Sequence, residues 1–158
     1  PATVSLAVPL YEQIELLKSN VKAITAGILS GVLASLGGVW ALAKLFRLNR
    51  ALYITLLPKS ITTAIGMGVS EELGGIVTIT VAVIVITGIL GNMTAELVFR
   101  IFGIEEPVAK GLSLGTASHA IGTAKAMELG EIEGAMGSLA IAVAGLVTVA
   151  GASVFSLI

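Results

Sequence analysis

The stretch LGGIVTITVAVIVITGILGNMTA, residues 73–95, decides the fold class: it holds 23 residues without a charged side chain. A spanning helix needs about 20 mostly apolar residues at 1.5 Å rise each. The Ile, Val and Thr content suits a strand by propensity. Strands, however, usually stop at about 4–8 residues, so the length predicts a transmembrane helix. Two more uncharged windows lie either side of it, at 23–43 (21 residues) and 134–158 (25 residues). Composition agrees: of 158 residues, 56% are hydrophobic and 12% charged, with a mean hydropathy of +1.02. That is about half the charge of a soluble domain. The chain lacks the polar residues to cover a core with a wet surface, and lipid removes that need.

The intervals between these windows are not loop-like. ALYITLLPKSITTAIGMGVS (51–70) and GLSLGTASHAIGTAKAM (111–127) are each about as long as a crossing and carry Gly, Ser, Thr and ionisable groups at their middles. Pro58 removes a backbone donor and clashes with the preceding turn. Both read as discontinuous helices, tolerable in a membrane where they face protein or a water-filled cavity. The expectation is an all-α polytopic membrane protein, one transmembrane domain over residues 1–158, with about five membrane segments, two of them broken.

If all five segments cross, Lys44, Arg47 and Arg50 share a side with Arg100 and Lys110, and the purely acidic connections take the other. The positive-inside rule then makes both basic connections and the C-terminus cytoplasmic. Re-entrant hairpins would change that count. Residues 63–74 (TAIGMGVSEELG) overlay 119–130 (HAIGTAKAMELG) at a spacing of 56, six of twelve positions being identical. Paired broken helices in two repeats point to a transporter's binding site. Full crossings make such repeats parallel and re-entrant segments make them inverted; the residues leave both open. The strips Gly27, Gly31, Ser35 and Gly134, Ser138, Ala142 let helix backbones approach closely, for packing within the chain or in a homo-oligomer.

Several function classes recede. A net charge of −1 with no basic tail implies no nucleic-acid partner. The absence of cysteine and the single histidine leave no metal site and no thiol nucleophile. Ser118 and His119 are adjacent, wrong for a nucleophile–base pair on a helix. The glycines match no phosphate-binding loop, so no cofactor and no enzymatic activity is expected. The opening PATVSLAVPLYEQ lacks the basic n-region of a signal peptide and reads like the start of a fragment.

Lys59 is the first site residue. A lysine at mid-membrane costs roughly 2.5–3.5 kcal/mol, so it should face protein or water. On a helix it would share a face with Thr62, Thr63 and Gly66, offering an ammonium and two hydroxyls to a small carboxylate. The structural alternative is a lysine satisfied by carbonyls freed at Pro58. His119 titrates near neutral pH in water and would suit proton coupling, or would be a satisfied core residue. Ser118, Gly122 and Lys125 would share a face, although Lys125 could instead snorkel to an interface. Thr116 and Ser118 could simply bond to i−4 carbonyls.

LPKSITTAIG, GTASHAIGTAKAMELGEIEGA and the opening residues resemble the LrgB/CidB family of membrane proteins, over essentially the whole chain. The family's polar motifs fall here on Pro58, Lys59, Ser60, Thr62 and Thr63, then Gly115, Thr116, Ser118, His119, Gly122 and Thr123, then Glu133 and Gly134. Ala64 stands where the family commonly has proline, and Lys125 where it often has arginine. Members usually begin with further helices, so the resemblance makes this the C-terminal part of one. It implies a bacterial antiholin-like modulator of murein hydrolases working with a small LrgA/CidA-type partner, or, as in the related plastid glycolate/glycerate translocators, transport. The expectation is alternating-access carriage of a small 2-hydroxy or 2-oxo monocarboxylate across the cell membrane. Lys59, Ser60, Thr62, Thr63, Thr116, Ser118, His119 and Thr123 would form the site, with His119 or Lys125 coupling. The alternative is an antiholin- or holin-like regulator of permeability.

Overall fold

The computed structural model describes Val8 and residues 11–158, so most of the opening read for a signal peptide lies outside the described residues. Seven helices are described: α1 (Ile14–Ser19), α2 (Val21–Leu45), α3 (Arg50–Leu56), α4 (Thr63–Leu73), α5 (Val77–Phe102), α6 (Pro107–Leu129) and α7 (Glu131–Phe155). The chain is an all-α membrane protein. Helices α2, α5 and α7, of 25, 26 and 25 residues, are long and apolar enough to cross, each about 38 Å at 1.5 Å per residue. The crossing expected from residue 73 starts at Val77 instead. Gly74, at φ 85°, ends α4 in a left-handed cap that a side chain would strain, and the uncharged window had absorbed that turn.

The two broken segments double back on themselves as hairpins. In the first, Pro58 cannot donate to Ile54, whose carbonyl takes Leu57 N (3.2 Å) instead, and Lys59 N→Leu56 O (3.2 Å) and Ile61 N→Pro58 O (3.4 Å) tighten the chain into turns. The chain then doubles back. Gly66 packs against Pro58 O, and the start of α5 returns to α3 through Ile76 N→Thr55 Oγ1 (2.8 Å). Thr80 Oγ1 completes the clasp, donating to Ser70 Oγ (2.7 Å) and approaching Thr55 O (3.0 Å). In the second, Ser118 (φ −130°, ψ 17°) and His119 (φ 43°, ψ −133°) break α6. Gly137 of α7 lies within 3.5 Å of Gly111 O and 3.2 Å of Ala126 Cβ, measured from an ideal Cβ. A straight helix would hold residues 111 and 126 about 22 Å apart. Gly122 sits directly on Leu114 O, arm against arm.

This geometry groups the charged connections differently from the charge-based expectation. Tyr53 Oη donates to Phe155 O (2.8 Å), joining the start of the first hairpin to the end of α7, and Lys44, Arg50 and Ile158 line one pocket at that end. Arg100, Glu105 and Lys110 gather with Leu129 at the other end of α5. The two basic connections therefore sit at opposite ends, and Glu71 and Glu72 share the end of Lys44. The two hairpins start from opposite ends of the bundle, so the two copies of the repeat run in opposite directions. The starts of α2 and α5 (21 and 77) and the ends of the hairpins (73 and 129) both differ by 56. The chain has no native cysteine, so single cysteines test this cleanly. Arg47→Cys and Glu72→Cys should react with an impermeant thiol reagent from the same face of a vesicle, and Arg100→Cys from the other; five crossings would separate Arg47→Cys from Glu72→Cys.

Candidate functional site

The two breaks are the turns after Pro58 in the first segment and Ser118–His119 in the second. Beside them a cleft of about 890 Å³ runs along α2 and the first arm of α6, from Asn20 and Glu106 at one end of the bundle to Lys59, Ser60 and Ser35 at mid-depth. Its length follows from α2, where Asn20, Ala23, Gly27, Gly31 and Ala34 recur at helical spacing and keep that face narrow. Leu112 and Thr116 of α6 pack over Gly27 and Gly31.

At the closed end Lys59 Nζ donates to Ser60 Oγ (2.9 Å), and Ser60 Oγ lies 3.2 Å from Ser35 Oγ on α2. An ammonium has three protons to donate, and one hydroxyl does not exhaust them. Among the described residues Lys59 forms no ion pair. Thr116 borders the same cleft. Its Oγ1 is the one buried side-chain polar atom without a partner among the described residues, which disposes of the i−4 bond that was the alternative for it. A buried hydroxyl left unmatched costs about 1–3 kcal/mol. Residue 116 is also the repeat-mate of residue 60 at the spacing of 56, so each hairpin tip brings a hydroxyl-bearing residue to the border of one cleft.

The structure separates the other expected residues from this cleft. The shared face of Lys59, Thr62, Thr63 and Gly66 does not exist, because residues 57–62 are turns and α4 begins at Thr63 with Thr62 as its N-cap. The first break forms around Pro58 without a proline at Ala64, which lies in the first turn of α4. His119 points to α5: its Nε2 is 2.9 Å from Ile84 O and its ring fills the notch over Gly88. Ser118 lies on Gly91. Thr123 Oγ1 donates to His119 O (2.9 Å), with Gly137 O at 3.3 Å, and so ties the second tip to α7. Across the break Gly122 still meets the Ser118 β-carbon. Lys125 instead meets Glu96 of α5 at 2.6 Å and Glu128 at 3.4 Å.

Ser30 and Ser113 of the cleft escaped the sequence reading, and Ser35 entered it only as part of a packing strip. Ser30 and Ser113 bond to carbonyls three residues back (3.0 and 2.9 Å), as serines in apolar helices commonly do. Only the helix across the cleft distinguishes them.

The chain matches the model of the LrgB-like family over residues 1–158. It belongs to the LrgB family. Curated relatives named "Antiholin-like protein LrgB" from Bacillus mycoides (strain KBAB4), Bacillus cereus (strain B4264) and Bacillus anthracis (strain CDC 684 / NRRL 3495) are each 40% identical over 149 residues, 94% of this chain. The LrgB-family chain spans 65% of the length of these relatives. No solved structure matches it. Within this LrgB-family chain, the LPKS and GTASH motifs that carried the resemblance are the two hairpin tips.

Proposed function

We propose that this chain is an antiholin-like regulator of membrane permeability, working in the cell membrane beside a small LrgA/CidA-type membrane protein. The observation that carries it is the 40% identity over 94% of the chain to relatives bearing that name. A fold of two oppositely directed hairpins suits the role, because tips that border one cleft can open or seal a path with small movements.

A second reading is favoured by the cleft itself: alternating-access carriage of a small 2-hydroxy or 2-oxo monocarboxylate. Lys59 would balance the carboxylate, and Ser60, Ser35 and Thr116 would meet its oxygens. Coupling through His119 has less support, because its ring lies in the α5 notch. With the helices so arranged, Lys44, Arg47 and Arg50 lie at one end and Lys18, Lys22, Arg100 and Lys110 at the other, so the positive-inside rule no longer singles out the Lys44 end as cytoplasmic.

Labelled pyruvate and glycolate, measured in proteoliposomes with and without the small partner, separate the two. A regulator gives dye leakage that scales with protein density and no saturable uptake. Saturable uptake, competed by unlabelled monocarboxylates and present at low protein density, would retire the regulator in favour of the carrier.

A further inference from the structure

A second pocket lies at the Lys44 end, away from the cleft. It has a volume of about 200 Å³ and is lined by Trp40, Ala43, Lys44, Leu48, Arg50, Tyr53 and Ile158. Neither Lys44, Arg47 nor Arg50 forms an ion pair among the described residues, where the only pairs are those of Lys125. Glu71 and Glu72 share this end of the bundle but do not line the pocket.

The turn beside it is built in an unusual way. Helix α2 ends with Leu48 N→Ala43 O (2.9 Å) and Arg47 N→Lys44 O (3.3 Å), a closing pattern whose left-handed position is normally glycine. Here that position is Arg47, at φ 52°. A β-carbon is disfavoured there, so the arginine is held against backbone preference at the bilayer edge. Leu45 and Phe46 beside it are 72% and 68% exposed, which sets the level of the hydrocarbon boundary next to the cations. Trp40 is one turn deeper and 39% exposed, where an interfacial aromatic belongs.

From this pocket we infer a binding site for the headgroup of an anionic phospholipid, with Lys44 and Arg50 on the phosphate and Trp40 beside the upper acyl chain. Basic pockets between membrane helices at an interface hold such headgroups, and the apolar wall from Leu48, Ala43 and Trp40 fits a lipid better than a free anion. The inference does not depend on the permeability or carrier reading.

Trp40 is the only tryptophan in the chain, so the site contains its own reporter. The full chain is reconstituted in phosphatidylcholine containing a small fraction of phosphatidylglycerol brominated high on the acyl chain, or the same fraction of brominated phosphatidylcholine. The anionic lipid should quench Trp40 at severalfold lower mole fraction. Lys44→Gln with Arg50→Gln should abolish that preference, while Arg100→Gln, at the far end, and the single variant Arg50→Lys should keep it. Equal quenching by the two lipids overturns the site, as does a preference untouched by the double variant. Relief of quenching by inorganic phosphate, beyond that given by chloride at equal ionic strength, would reassign the pocket to a free anion.

Discussion

Gly115→Ala is expected to destabilise the protein by about 1–3 kcal/mol, the range for overpacking a filled interior. A methyl there would be driven into Gly137 O and Ala140 Cβ of α7. Backbone cannot rotate away as the end of a flexible side chain can, so the first arm of the second hairpin has to leave α7. The same face carries Gly111 against the backbone of Glu133, which leaves no slack one turn earlier. Gly38→Ala is the control. Its methyl meets nothing within 4 Å, and an alanine in a helix interior is favoured over glycine by roughly 0.5–1 kcal/mol. Thermal unfolding in detergent should therefore move down for Gly115→Ala and slightly up for Gly38→Ala. Equal, small shifts would mean that the hairpin does not pack on α7 as described.

These glycines also explain what the sequence left open. Hydropathy identified the three crossings because it reports length and apolarity, and Pro58 with mid-segment hydroxyls identified the breaks. Direction was not legible. A segment of 20 residues is as long as a crossing when straight and only half as deep when folded, and α4, at 11 residues, is about 16 Å long. The signal for reversal was the glycine at positions 111, 115 and 122, where backbones must touch, and the repeat at 56. That repeat aligns the second arm of each hairpin, but an inverted and a parallel repeat look alike as strings. The site was half legible for the same reason. Lys59, Ser60 and Thr116 lie at the tips and face the cleft, whereas His119, Ser118 and Thr123 lie just as near a tip and face α5 or α7. One positive φ at His119 turns the chain between those two sets.

Lys59→Met tests whether the tip lysine is there for a ligand or for the fold. The ammonium at mid-depth costs roughly 2.5–3.5 kcal/mol to place by insertion scales, and its sole hydrogen bond among the described residues, to Ser60 Oγ, reaches a hydroxyl that also has Ser35 beside it. Methionine keeps the length and loses the charge. If the lysine serves a ligand, the variant should fold as well as the parent or unfold a few degrees higher, because the charge penalty disappears while Ser60 keeps Ser35. The parent should then be stabilised by millimolar glycolate or pyruvate, by RT ln(1 + [L]/Kd) and so by about 1.4 kcal/mol when the anion is at ten times Kd, and the variant not at all. Thr116→Val, which removes the unpartnered hydroxyl at nearly constant volume, should weaken the anion's effect while leaving the unliganded protein at least as stable. A Lys59→Met protein that unfolds far below the parent would show the opposite arrangement, in which the lysine holds the first tip together and the cleft is lined by residues placed for packing. The two outcomes differ in sign in the absence of any ligand, so the distinction does not wait on knowing which anion, if any, the cleft takes.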